Sequence, residues 1–563
     1  MVFDGAVTTT SSTPTGPTGS APARSPEPST GLARLAGVAA AAVGLGVGEL
    51  VAATGTSGQS LVGSVGGEII DQAPGALVRT GIDALGTADK PVLVTTIVVV
   101  CLGLGALLGP AVRRRPWLNP VAFGVMAVLG AAAGLRDPLA DDAVTVMAAV
   151  SAAVAGSFTL WLLERRLPAD GTAGPAAVAV IPVADDTDAP EPAPTLPRPG
   201  VGAADRRTFL TWTGTAAGVG VLAALGGKAL SGRSATSAAQ ATVDIPLPAP
   251  TATVPGTPAG TQVAGLAVDG LSPVITPNAD FYRIDTALTL PRPDLDGWRL
   301  RFSGEVDNPF SLSYRELLEM PTIEAPVTIA CVSNKVGGDL VGTAVWQGVP
   351  LADLLERAGV KPGGTQVVGR SLDGFTVGFP TEVALDGRTA MVAVGMNGEP
   401  LPVLHGFPAR LIVEGLYGYV SATKWLSTVE LTGWDDFDAY WIDLGWSKEG
   451  PIKTQSRIDV PRGGTKVDAG EVAVAGVAWA PGRGISKVEV QVDDGPWREA
   501  ELGPGLSDAT WRQWVYRWDA TPGDHKVRVR ATDGDGETQT GEVAPVEPDG
   551  ATGWHTRSVN VRG

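Results

Sequence analysis

Cys331 is the residue whose type and setting most call for a chemical role. The 563-residue sequence has two cysteines, Cys101 inside an apolar run and Cys331 in a stretch of ordinary soluble composition. Those settings make a disulfide between them implausible, so Cys331 stands as a lone thiol in a large domain. As a thiolate it would be a soft metal ligand; as a thiol it could equally be a small buried hydrophobe. Further along, His405 and Arg410 lie five residues apart. Both can donate hydrogen bonds to phosphate oxygens, the guanidinium through two donors at once. Each such charged group could also be a solvated surface residue.

The elements that must hold these residues fall into two unlike parts. The first is apolar and nearly free of acids and bases over long runs. The remainder is mixed and acidic, and the whole chain carries 42 Lys+Arg against 59 Asp+Glu, a formal charge of −17. That balance argues against a nucleic-acid partner, which needs a basic surface. Residues 1–30 are rich in Ser, Thr, Pro and Gly and read as disordered. Apolar runs near 32–53, 91–112, 118–135 and 142–163 are long enough to cross a bilayer as helices and form a membrane anchor over 31–164. A fifth, near 208–227, follows a polar linker over 165–207.

Basic clusters orient these spans. Arg113 to Arg115, Arg165-Arg166 and Arg206-Arg207 all fall on one side if placed in the cytoplasm. The loops 54–90 and 136–141 then lie outside, as does everything after residue 228. The run Asp205-Arg206-Arg207-Thr208-Phe209-Leu210 looks like a twin-arginine export signal; the two arginines could also simply anchor the helix end. A linker over 229–265 leads to a mixed domain over 266–462, with segments such as Tyr314–Met320 and Leu351–Ala358. From 463 to 563 period-two patterns take over, as in Val488, Val490 and Val492, with turn signals at Pro481-Gly482, Gly495-Pro496 and Pro522-Gly523. That is the pattern of a small β-sandwich.

Four stretches of the mixed domain carry a resemblance. They are Thr276-Pro277-Asn278-Ala279-Asp280-Phe281-Tyr282-Arg283; Thr328-Ile329-Ala330-Cys331-Val332-Ser333-Asn334-Lys335 with Gly342 to Leu351; Met396 to Pro402 running into His405-Gly406-Phe407-Pro408-Ala409-Arg410; and Gly418 to Trp425. In order and spacing, residues 266–563 resemble the molybdopterin-dependent oxidoreductases of the sulfite oxidase family. Behind the N-terminal transmembrane α-helices read from the apolar runs, the resemblance implies an α+β sulfite-oxidase-type molybdopterin domain and then an immunoglobulin-like C-terminal domain of the kind that pairs soluble relatives as dimers. It implies Mo-molybdopterin as cofactor, with Cys331 the protein ligand to molybdenum. His405, Arg410 and Lys424, with the backbone of Ser421, Ala422 and Thr423, would hold the pterin and its phosphate. The family spaces Arg410 and Lys424 one residue closer, which leaves the register of 421–423 open. Phe281, Tyr282 and Arg283 would line the other side, Asp373 would contact the pterin, and Tyr440 would hydrogen-bond a ligand on the metal.

One departure bears on substrate. Sulfite-oxidising members follow the cysteine with Ala-Gly-Asn-Arg-Arg, whose arginines help bind the substrate anion. Here the run is Val332-Ser333-Asn334-Lys335-Val336. Lys335 keeps one charge without the guanidinium's fork. The resemblance therefore leaves open oxygen-atom transfer on a small sulfur oxyanion, reduction of a methionine-sulfoxide-type substrate, or a non-catalytic membrane-anchored binding protein. The three histidines, His405, His525 and His555, all lie outside the apolar runs. A haem held between two histidines inside the anchor is thereby excluded, and no Cys-x-x-Cys-His occurs. An external redox partner, a cytochrome or a quinone-linked protein, is expected to exchange the electrons.

Overall fold

A computed structural model of the chain describes residues 30–55, 59–85, 88–167, 206–243 and 246–563. The expected disordered start and most of the 165–207 linker lie outside these residues.

Seven helices come first: α1 (Thr30–Ala52), α2 (Leu61–Gln72), α3 (Gly75–Leu85), α4 (Asp89–Arg114), α5 (Leu118–Arg136), α6 (Asp142–Glu164) and α7 (Arg206–Val243). The helices α1, α4, α5, α6 and the Arg207–Leu230 part of α7 are long and apolar enough to cross a membrane. They coincide closely with the five apolar runs. The last differs, because α7 stays helical to Val243, through residues assigned above to a linker. Its Ala-rich tail contains no proline, and alanine favours helix. α1 sits at the centre of the bundle. Glycines let neighbours approach it backbone to backbone: a Cβ on Gly37 would fall 1.9 Å from the Gly105 carbonyl, and one on Gly46 would fall 2.0 Å from that of Gly220.

The loop between α1 and α4 is not a plain connection, since it folds into α2 and α3. Ser60 caps α2 by accepting from the Gly63 amide. The Glu49 carboxylate of α1 accepts from the Val62 amide at 3.1 Å. Three glycines in α2 hide it from a propensity reading.

The middle of the chain forms two sheets. In the first, strand Ile323–Ala330 pairs antiparallel with Val341–Pro350, which pairs with Ala390–Met396, which pairs with Arg410–Val413. The second runs Phe310–Ser313, Arg299–Gly304, Leu426–Thr432, Gln366–Ser371, Thr376–Pro380. Short helices cover them. Tyr314–Glu319 starts in a Ser313/Glu316 capping box, and Leu351–Ala358 buries Leu351, Leu354, Leu355 and Ala358.

Two further sheets follow. One contains Gln455–Val460, Gly470–Trp479, Arg512–Ala520 and Glu501–Leu502; the other contains Lys466–Asp468, His555–Arg562, Gly523–Asp533, Ile485–Val492 and Arg498–Glu499. Val488, Val490, Val527, Val529 and Ala531 are fully buried between them, which is the alternation read from the sequence. These sheets are welded to the middle of the chain, because Trp479, Trp511, Val546 and Ala551 belong to the same buried cluster as Phe281 and Trp346.

Candidate functional site

Cys331 is the first residue after strand Ile323–Ala330, where the chain turns into a loop leading to Val341. The turn is tightly held. The Cys331 amide donates to the Leu340 carbonyl at 2.9 Å, and the Asn334 side chain accepts from the Leu340 amide at 3.0 Å. The C-terminal sheets clamp the same loop, as Arg457 Nη1 donates to the Gly338 carbonyl at 2.9 Å. The thiol therefore points from a rigid element into a pocket.

Of the residues singled out in the sequence, Phe281, Tyr282, Cys331, Asp373, Arg410, Ala422 and Lys424 line that pocket together. Burial pushes the Cys331 thiol pKa up, against weaker pulls from Ser333 and Lys424. A positive charge placed at the sulfur would reverse this. Phe281 forms one wall. It stacks on Tyr282 at 5.3 Å and meets Trp346 and His405 edge-on at 5.8 and 5.7 Å. The ring fits because Gly342 has no Cβ, which would lie 2.8 Å from it.

Arg410 begins the last strand of the first sheet and is 3% exposed. Its Nη1 donates to the His405 carbonyl at 3.0 Å and its guanidinium lies over Trp346, but its Nε has no partner among the described residues. Burial holds its pKa down at about 10. Lys424 donates to the Leu404 carbonyl at 3.2 Å and pairs with Asp285 at 3.4 Å; burial, only partly offset by Asp285, brings its pKa to about 8. Gly406 makes this approach possible: its φ is +115° and a Cβ there would sit 3.0 Å from Lys424 Cα. Trp446, another pocket residue, also has an unpartnered buried N–H. An unmade buried donor costs about 1–3 kcal/mol, so two such donors on one pocket fit a site shaped for a polar, anionic ligand.

Other expected site residues stand differently. His405 is buried beside the pocket, and its Nε2 faces the Asn278 carbonyl at 3.0 Å. A carbonyl only accepts, so the neutral ring carries its proton on Nε2, and Nδ1 is an acceptor without a partner. Burial lowers the His405 pKa to about 4, so the ring is not a ready phosphate donor on its own. The side chains of Ser421 and Thr423 turn away. Ser421 Oγ donates back to the Tyr417 carbonyl at 3.0 Å, and Thr423 Oγ1 lies against Gly369. Arg283 is exposed and reaches the pocket only through Asp285, at 2.7 Å. Lys335 is exposed and does not line the pocket. Tyr440 lines a neighbouring cavity, and its hydroxyl lies 3.5 Å from Asp71 of α2. Its backbone amide donates to Thr376 Oγ1 at 3.0 Å, and Tyr440 is not among the residues lining the Cys331 pocket.

The profile of the oxidoreductase molybdopterin-binding domain matches residues 287–441. An uncharacterized oxidoreductase of Bacillus subtilis, YuiH, is 34% identical over 157 residues, 28% of this chain and 76% of that protein. The chain belongs to the sulfite oxidase family of molybdopterin oxidoreductases. Mo-molybdopterin is the cofactor this family membership carries. Rat mitochondrial sulfite oxidase is 32% identical over 336 residues, 51% of this chain and 59% of that one; the human protein is 30% identical over the same length. The chain thus spans about 59% of the mammalian relatives it matches. Among solved structures, the sulfane dehydrogenase SoxCD of Paracoccus pantotrophus aligns over 53% of this chain and 85% of that one, at 22% identity and a TM-score of 0.45.

Several residues in and around this pocket were missed in the sequence. Asp285 is the hub, held by Arg283, Lys424 and Lys90, which bring its pKa to about 2 although burial alone would raise it. Lys90 comes from the start of α4. Its ammonium donates to Asp285 Oδ1 at 2.9 Å, the Asp285 carbonyl at 2.8 Å and the Ala287 carbonyl at 2.7 Å. Tyr419, Trp441 and Trp446 also line the pocket. Asp285, two residues past Arg283 in the first motif, was the one signal at hand; Lys90 gave none.

Proposed function

We propose that this chain is a membrane-anchored enzyme whose molybdopterin domain works outside the cytoplasmic membrane and transfers an oxygen atom to or from a small sulfur compound. The observation that carries the reading is one pocket holding the lone thiol of Cys331, the buried guanidinium of Arg410 with a donor to spare, and Lys424. Bound molybdenum and its pterin supply two-electron oxygen-atom transfer chemistry. Cys331 would be the protein's ligand to the metal. Arg410 and Lys424 would hold the anionic part of the pterin, with backbone of 421–423 alongside, and Asp373 would meet its ring. Phe281, Tyr282, Trp441 and Trp446 keep water from the pocket.

In this reading the five apolar helices are spans, oriented by their arginine clusters so that the catalytic domain is extracytoplasmic. The twin-arginine-like run at the start of α7 suits a protein exported with its cofactor in place. The C-terminal pair of sheets is read as immunoglobulin-like and as the surface for a homodimer. Electrons pass to or from an external cytochrome or quinone-linked protein.

A second reading, sulfoxide reduction on the same scaffold, is favoured by one observation. Among the described residues Arg410 is the sole arginine lining the pocket, and Lys335 stays outside it. Two assays on molybdenum-replete, full-length protein separate these readings: sulfite-dependent reduction of an added electron acceptor, and sulfoxide-dependent oxidation of a reduced dye. Turnover in either direction supports an oxygen-transfer enzyme. Turnover in neither, with the metal in place, sinks it.

A further inference from the structure

A second cavity of about 480 Å³ adjoins the cofactor pocket. One wall belongs to the catalytic domain. The other is α2 together with the turn between α5 and α6. Thr286, Asp373 and Phe375 line both cavities and so form the doorway between them. The wall is fastened in place. Lys90 grips the chain on either side of Thr286, Tyr440 faces Asp71, and Pro138 packs against Gly374, where a Cβ would lie 3.1 Å from the proline ring. Ser64 and Gln59 both donate to the Asp137 carboxylate, joining the two loops to each other.

The lining has a strong charge sign. Among the described residues it presents the carboxylates of Glu68, Asp71, Asp137, Asp373 and Asp443 against the single guanidinium of Arg136, which is paired with Glu68. Burial raises the Asp71 pKa, and the Glu68 and Asp137 charges raise it further, so these carboxylates feel one another. A cleft of one sign with low-dielectric walls changes the local concentration of charged solutes by about 10-fold or more.

We propose that this cavity is the vestibule through which substrate reaches the cofactor pocket, and that it admits an uncharged or cationic sulfur compound, such as a sulfoxide, while turning back sulfur oxyanions. The loops of the helical region are then part of the enzyme's specificity and not only its tether. The substrate half of the proposal rests on the pocket being an oxygen-transfer site. The charge selection stands without it.

The test places a thiol in the vestibule of full-length holoprotein. Gly67 lines the cavity and nothing lies within 4 Å of where its Cβ would be, so Gly67→Cys is accommodated. It is made together with Cys101→Ser, which removes the other accessible thiol. Rates of modification by cationic and anionic methanethiosulfonates are normalised to a free thiol. The cationic reagent should react about 10-fold faster or more at low ionic strength. The ratio should fall towards one with Glu68→Gln and Asp71→Asn, or in about 1 M salt, where the screening length is about 3 Å. Attaching a bulky group should cut sulfoxide kcat/KM about 10-fold. In the charge variants, sulfite kcat/KM should rise several-fold while sulfoxide turnover stays level. Equal normalised rates would overturn the charge selection, and full modification with unchanged kcat/KM would overturn the route. If molybdenum-replete protein turns over neither compound, the pocket reading fails by itself, and the rate ratio still decides what the vestibule admits.

Discussion

Replacing Arg410 with methionine separates what the cofactor needs from what the fold needs. Burial lowers the guanidinium's pKa from its ordinary 12.5 to about 10. Keeping it charged therefore costs the cofactor-free protein roughly 3 kcal/mol. Two interactions offset part of this. The bond from Nη1 to the His405 carbonyl contributes about 1 kcal/mol, and the face of Trp346, 5.0 Å away, contributes about 1 kcal/mol more. Methionine fills similar space with a flexible apolar chain. The cofactor-free Arg410→Met protein should therefore be more stable than wild type by about 1 kcal/mol, a rise of roughly 2–4 °C in Tm. The same variant from a molybdopterin-producing host should carry little molybdenum. The assay is thermal unfolding of both proteins from a host unable to make the pterin, beside metal analysis from one that can. A cofactor-free variant that melts several degrees below wild type would refute the reasoning, because Arg410 would then be serving the fold.

Three other outcomes follow from the same geometry. Cys331→Ser should lose molybdenum at least about 10-fold while the cofactor-free protein melts within about 1 kcal/mol of wild type, checked by metal analysis and unfolding. Burial lowers the pKa of both His405 and His555 to about 4, from an ordinary 6.5. A base depressed by folding gives stability that is complete above about pH 6.5 and is lost as the pH falls through 4, up to roughly 3 kcal/mol for each ring. Unfolding of cofactor-free protein across that range should show the loss, and His405→Gln with His555→Gln should flatten it. Lys90→Met removes three hydrogen bonds from one ammonium and should loosen residues 285–289 by about 2 kcal/mol or more, read as faster amide exchange there with helix α4 unchanged.

Composition alone made the five long apolar helices legible, because a bilayer-length run of apolar residues has few other uses. The thiol and the two cations were legible through motif order, and the structure brings Cys331, Arg410 and Lys424 into one pocket. What stayed hidden depends on tertiary placement. Lys90 lies 195 positions from Asp285, and no local pattern links them. α2 was invisible because its glycines suit a loop as well as a helix, and packing against α5 decides between them. Tyr440 was misplaced because neighbours in sequence can face opposite ways: Trp441 turns into the cofactor pocket while Tyr440 turns to Asp71. At 421–423 the expectation rested on backbone, and the side chains do not add to it: the Ser421 hydroxyl bonds back to Tyr417, and the Thr423 hydroxyl packs on Gly369 with no hydrogen-bond partner among the described residues.

Molybdenum and pterin per chain, measured in full-length protein from a molybdopterin-producing host, test the assignment of the pocket most directly. About one of each per chain in wild type, with the metal lost in Cys331→Ser and kept in Tyr440→Phe, is the expected result. A well-folded wild type without molybdenum, from a host that loads another molybdenum enzyme under the same conditions, would contradict it.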